Sequence, residues 1–242
     1  MPVKKQKSVA QRVPKLVPEI RAIRKRIEEL LNSKDADGNR IGDSQFGVYA
    51  FLDYFGEPIY VGQTAEKLRV RVRRHLTNQR TDSVAMRVLD PLEVAEVILW
   101  PLKPEGQTKE EINDLLGRAE FTAYQEMLAA SELKAILNEK MIPERTPIKL
   151  PKPHRARIIP DEIYEKQKHP DLRIARRAAW FADLARIITE RDVSIGLRRT
   201  LYLQTRRLAW LAEKRLNELE GRVPSEKPGE ETGEKPVSPK SH

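Results

Sequence analysis

The sequence predicts a mixed α/β domain carrying a helical annex on its carboxy-terminal side. Three observations carry that reading. The runs FGVYAFLD, PIYVGQ and LEVAEVILWPL are short, aromatic and β-branched, as strands are. The segments PEIRAIRKRIEELLNS, AEKLRVRVRRHLTNQ and KEEINDLLGRAEFTAYQEMLAA repeat apolar residues at helical spacing. Beyond residue 160 the pattern is helical only.

Taken in order, residues 1–17 are polar and basic and read as a flexible arm. Pro18 suits a first helical position, and Ile20, Ile23, Ile27, Leu30 and Leu31 line one face of a helix over 18–33. Residues 1–33 hold nine Lys/Arg against three acidic residues. The turn-rich KDADGNRIGDSQ ends the helix. Residues 46–63 then read as a β-hairpin whose strands are joined by DYFGEP. Thr64 offers an N-cap to the next helix. RVRVR there alternates as an edge strand does, but Leu68, Val72 and Leu76 favour helix. LEVAEVILWPL is a third strand, expected to stop at Pro101 and Pro104. The following helix has acidic residues in its first turn, where the helix dipole favours them. SELKAILNEK reads as a short helix or turn and completes a central domain over 44–142. Residues 143–160, with five prolines, are a connector or a wrapping arm. Residues 161–221 are a helical-hairpin annex, with helices expected over 161–190 and 196–220. Their predicted apolar stripes are Ile174, Ala178, Phe181, Ala185, Ile188 and Leu208, Ala212, Leu216, Leu219. Residues 222–242 have a disordered composition.

Composition narrows the function. The 242 residues carry 45 Lys+Arg against 36 Asp+Glu, a net charge of +9, with 39% hydrophobic residues to build a core. No apolar run is long enough to cross a membrane, so no membrane partner is expected. The absence of cysteine excludes a disulfide scaffold, cysteine-ligated zinc and a cysteine nucleophile. The expectation is a soluble cytoplasmic protein whose first partner is nucleic acid.

Three features carry chemistry. GVY at 47–49 and YVG at 60–62 each set a tyrosine near a glycine on one strand of the hairpin. Glycine lets backbone or ligand approach closely, and paired phenols suit a proton relay or a phosphate oxygen. Arg71 and His75, four residues apart, share a helix face beside the apolar stripe. A guanidinium fork suits phosphate, and imidazole serves as base or donor near neutral pH. Glu120 falls inside the apolar stripe of Leu116, Ala123 and Met127, where an unpaired carboxylate is costly. It is paired with a cation or holds a metal.

In this order, the segment GVYAFLDYFGEPIYVGQTAEKLRVRVRRHL, with Glu120 and Asn138 downstream, resembles the core of the GIY-YIG nuclease family over about residues 46–140. The resemblance implies a small sandwich with a three-stranded antiparallel sheet flanked by helices. It implies DNA phosphodiester hydrolysis with one Mg²⁺ or Mn²⁺ per site. Glu120 would hold the metal. Tyr49 would help activate the attacking water, with His75 as a second candidate base. Arg71 would neutralise charge on the scissile phosphate, and Tyr60 would position the nucleophile or phosphate. The stretch between Gly62 and the family arginine is one residue longer than in many members, which leaves Arg69 and Arg73 as competitors. Arg71 is chosen because His75 fits one helical turn later. No proline precedes Asn138, as it often does in the family.

Mg²⁺ needs only one or two protein carboxylates, so a single glutamate is adequate. Asn138, Arg69, Arg73, Arg74, Arg198, Arg199, Arg206 and Arg207, and with them Arg176–Arg177, are expected to meet nucleic acid. If the annex arginines are only a solvated face, the annex is structural or a homodimer contact. Two function classes result: an endonuclease on duplex or branched DNA, of restriction, mobile-element or repair type, and a catalytically silent nucleic-acid-binding module.

Overall fold

The computed structural model describes residues 18–77 and 88–222. The predicted basic arm, residues 78–79 of the second helical pattern and the tail beyond Arg222 lie outside them. Four strands, β1 (Phe46–Leu52), β2 (Pro58–Thr64), β3 (Glu96–Leu102) and β4 (His154–Arg157), form one antiparallel sheet in the order β2-β1-β3-β4. The helices are α1 (Pro18–Asn32), α2 (Leu68–Thr77), α3 (Lys109–Ala130), α4 (Asp161–Gln167), α5 (Pro170–Glu190) and α6 (Ile195–Leu219). No helix among the described residues is long and apolar enough to cross a membrane.

The sheet therefore has one strand more than expected. The proline-rich arm supplies β4, a four-residue segment between Pro153 and Pro160 whose His154 and Ala156 turn inward and whose arginines are exposed. Pro101 does not stop β3 but lies within it, opposite Gly47. β4 pairs β3 only over Glu96–Leu99, so the missing proline N–H falls where β3 has lost its outer neighbour. Thr64 does not cap α2; it ends β2 and closes a local turn, its hydroxyl accepting from the Glu66 N–H at 3.1 Å. Residues 131–140 are irregular rather than helical. The start of α3 follows from a capping box, in which Thr108 and Glu111 satisfy each other's backbone N–H.

Alternation along the strands separates two faces. Tyr49, Phe51, Val97 and Leu99 join Ile27 and Leu31 of α1, Leu68 and Val72 of α2, and Leu184, Ile187 and Leu197 of the annex in one core. Val48, Ala50, Val61, Ile98 and Trp100 pack on Leu116, Ala119 and Ala123 of α3 in the other. The annex thus shares the main core rather than forming one of its own.

The annex buries faces turned from those its apolar periodicity predicts, and of the predicted stripe residues only Ile188 is buried. On α5 the buried residues are Arg173, Leu184, Ile187 and Ile188, and on α6 they are Gly196, Leu197, Thr200, Gln204, Arg207 and Leu211. Leu216 and Leu219 of the predicted stripe are 53% and 68% exposed. The cause is a buried ionic cluster. One Asp53 oxygen accepts from Arg173 at 2.9 Å, Arg177 at 2.8 Å and Arg207 at 3.1 Å. Glu93 accepts from Arg173 at 3.1 Å, from Arg177 at 2.8 Å and from Arg176. Arg207 also donates to the Pro58 and Ala135 carbonyls at 2.7 and 2.9 Å. Burial pushes the Asp53 carboxyl up, but Arg207, Arg173 and Arg177 outweigh it and hold it below the usual range. Arg176, Arg177 and Arg207 are thus corrected from surface phosphate contacts to internal struts.

Candidate active site at the outer edge of the sheet

β2 is an outer strand, and helices from both faces of the sheet meet beside it. The register sets Tyr49 opposite Gly62 and Phe51 opposite Tyr60, so the two site tyrosines share a face. Their rings stack at 6.2 Å, and His75 of α2 sits 5.6 Å from Tyr49 and 5.4 Å from Tyr60. Two glycines permit this packing. A Cβ on Gly62 would stand 2.6 Å from the Tyr49 hydroxyl. A Cβ on Gly47 would stand 2.9 Å from Leu68, so α2 seats directly on β1.

The Tyr49 hydroxyl is the centre of the site. Arg71 Nε–H donates to it at 3.1 Å, and His75 Nε2 lies 3.0 Å away. The hydroxyl thus accepts from Arg71 and shares a hydrogen bond with His75 Nε2 whose donor is set by the imidazole tautomer. Burial, then Arg71 and Arg74, pull the His75 pKa down to about 3. Burial, reinforced by Tyr60, drives the Tyr49 phenol far above the ordinary tyrosine value, against the pull of Arg71. The resting pair at neutral pH is therefore a phenol and a neutral imidazole.

Tyr49 is fully buried and His75 is 2% exposed, so neither meets solvent. The sequence reading had both as candidate bases for the attacking water; in this arrangement they stand behind the groups that reach solvent. Those groups are Tyr60, Arg71 and Glu120, all partly exposed. Burial also raises the Tyr60 phenol, with Arg71 opposing.

Glu120 comes from α3, on the other face of the sheet, and reaches Gln63 at the end of β2. Burial raises its pKa to about 7, while the Gln63 backbone N–H and side chain, Arg71 and Arg145 pull the other way. A carboxyl held this high is one whose charge the surroundings leave under-compensated, and a cation would relieve it. Among the described residues no group of three or more His, Asp or Glu is arranged to hold a metal. A single, partly exposed carboxylate nevertheless fits a hydrated Mg²⁺, which keeps most of its waters.

The competing arginines are engaged elsewhere. Arg69 donates to Asp43 at 2.9 Å, Arg73 pairs with Glu28, and Arg74 pairs with Glu66 at 2.6 Å. Arg71 is the one joined to Tyr49. Asn138 lies beside the site, but its amide serves the backbone: Nδ2 donates to the Val61 carbonyl at 2.7 Å and Oδ1 accepts from the Val61 N–H at 3.2 Å. Arg198 is exposed, Arg199 half-buried, and exposed Arg206 donates to the Leu133 carbonyl at 3.1 Å. Sequence reasoning missed Arg145, which lies against Gly117 one turn before Glu120. The only signal for it was a glycine inside a long helix. Against family models, curated proteins and solved structures, the chain matches none.

Proposed function

We propose that the chain is a metal-dependent endonuclease that hydrolyses phosphodiester bonds in DNA, with a site of the GIY-YIG kind. The observation that supports this best is the Tyr49 hydroxyl held between Arg71 and His75, with Glu120 approaching the same arginine from the opposite face of the sheet. Hydrolysis of a phosphodiester needs an activated water, a clamp on the developing charge and help for the leaving oxygen. Arg71, half-exposed and oriented by Tyr49, is the clamp on the scissile phosphate. Tyr60 presents its hydroxyl to the nucleophile or to a phosphate oxygen. Glu120 would hold Mg²⁺ or Mn²⁺. When bound, such an ion supplies Lewis-acid stabilisation of phosphoryl charge. Tyr49 is a positioning residue: it fixes the Arg71 guanidinium, and His75 fixes Tyr49 through the hydrogen bond between Nε2 and the hydroxyl. The net charge of +9 favours a polyanionic substrate.

The test is nicking of supercoiled plasmid with and without Mg²⁺ or Mn²⁺, comparing the wild type with Glu120→Gln. Metal-dependent nicking by the wild type and loss of it in the variant is the expected result. DNA binding without nicking under any metal would instead favour a silent binding module.

A further inference from the structure

We infer that Arg145 is a positioning residue that grips a DNA backbone phosphate adjacent to the one faced by Arg71 and Glu120, an inference that rests on the nuclease reading above. The proline-rich arm holds Arg145 in place. Its next residue, Thr146, accepts from Arg118 Nε at 3.0 Å, and the Ile148 N–H donates to the Thr122 hydroxyl at 3.0 Å. Ile148 and Leu150 then pack on the core beneath α3. The arm is stitched along α3 rather than passing over it.

Arg145 lies on the helix backbone itself. A Cβ at Gly117 would stand 2.6 Å from Arg145 Nε and 2.9 Å from its Cζ. Gly117 has no positive φ, so the backbone does not require glycine there. A mid-helix glycine costs about 1 kcal/mol relative to alanine. What it provides here is room for a guanidinium. Gly117 precedes Glu120 by three residues, which sets both on one face of α3. The Glu120 carboxyl feels both Arg71 and Arg145, each opposing the upward push of burial, so a strand laid over Glu120 is offered both guanidiniums.

The guanidinium is available to such a strand. Its partner is Asp114, at 2.8 Å, which Arg118 also approaches at 3.9 Å, so two guanidiniums share one carboxylate. The Arg145 and Asp114 side chains are 39% and 53% exposed, and an exposed pair of this kind is weak. Exchange of that carboxylate for a phosphate suits the arginine fork.

The experiment measures binding of a short DNA duplex across a salt series, in a Glu120→Gln background that removes cleavage. Arg145→Gln is expected to lower the slope of log K against log salt by about 0.9, one phosphate contact. Arg145→Lys is expected to keep the slope, since the charge remains. Gly117→Ala, which displaces the guanidinium without straining the helix, is expected to weaken binding, and to add nothing when combined with Arg145→Gln. An unchanged slope in folded Arg145→Gln overturns the inference, and nicking by the wild-type chain then leaves the nuclease reading standing. A wild-type chain that neither binds nor nicks DNA overturns both.

Discussion

The Tyr49 hydroxyl and Gly62 face each other across the β1–β2 pair, and the hydroxyl fills the space a side chain at 62 would need. Gly62→Ala is therefore expected to push the phenol off Arg71 and His75. Gly62 has no positive φ, so the effect is steric alone. Overpacking of this kind costs about 1–3 kcal/mol, read as a lower urea midpoint with unchanged slope. Nicking should fall by far more than the lost stability accounts for, because the clamp loses its orientation.

Tyr49→Phe removes the hydroxyl and leaves its partners in place. Among the described residues His75 Nδ1 has no hydrogen-bond partner, so the imidazole loses its bond to the phenol while still buried. Stability is expected to fall by about 1–3 kcal/mol, the cost of an unsatisfied buried polar group. Denaturant titration checks this, and Tyr60→Phe, at a partly exposed position, should cost less.

The acid limb of stability should carry opposing contributions. His75 has a folded pKa of about 3 against an ordinary 6.5, so the unfolded chain binds the extra proton and stability rises with pH across that window. Glu120 has a folded pKa of about 7 against an ordinary 4.5, so the folded chain holds the extra proton and stability falls as pH rises across it. For a half-buried carboxyl the latter is on the order of 2 kcal/mol. Glu120→Gln should abolish it, making the variant the more stable protein above about pH 7. Thermal unfolding across pH gives the comparison, and Mn²⁺ affinity of the wild type should rise with pH over the same window.

Asp53 and Arg207 should behave as a buried pair and not as surface charges. Asp53→Asn leaves Arg173, Arg177 and Arg207 facing a neutral oxygen, and Arg207→Gln leaves buried carboxylate charge with less compensation. Each is expected to cost about 3–5 kcal/mol, whereas Arg198→Gln should stay within about 0.5 kcal/mol. Urea unfolding separates the two classes. If Arg207→Gln were as mild as Arg198→Gln, the ionic cluster would not be what fastens the annex.

The hairpin, α1 and α3 were legible because their signals are local: aromatic and β-branched alternation over 46–63, apolar spacing over 20–31, and acidic residues in the first turn of α3. β4 was not, since four residues between prolines carry too little pattern to register as a strand. The annex faces were misread for a more instructive reason. Arg173, Arg177 and Arg207 are interior only because Asp53 and Glu93 meet them, and those partners lie 80 to 154 residues away. Periodicity alone cannot see a charge cancelled at such distance. Tyr49, Tyr60, Arg71, His75 and Glu120 were put forward as a set on a family resemblance, and the fold brings Tyr49, Tyr60, Arg71 and His75 into contact. Their division into buried supports and solvent-facing groups depends on how closely α2 seats over Gly47, which residue types do not encode.

The amide of Asn138 has a consequence for how copies of this chain can meet. An outer strand offers unpaired backbone groups that template a second strand, the route to edge-to-edge aggregation. Here Asn138 takes both backbone groups of Val61, and the Leu137 N–H donates to the Ile59 carbonyl at 2.7 Å. Residues 137–138 thus stopper the rim of β2 without forming a strand. Self-association by continuing the sheet through β2 is blocked at its middle, so the sheet edge beside Tyr60 and Glu120 stays clear of β-stacked neighbours.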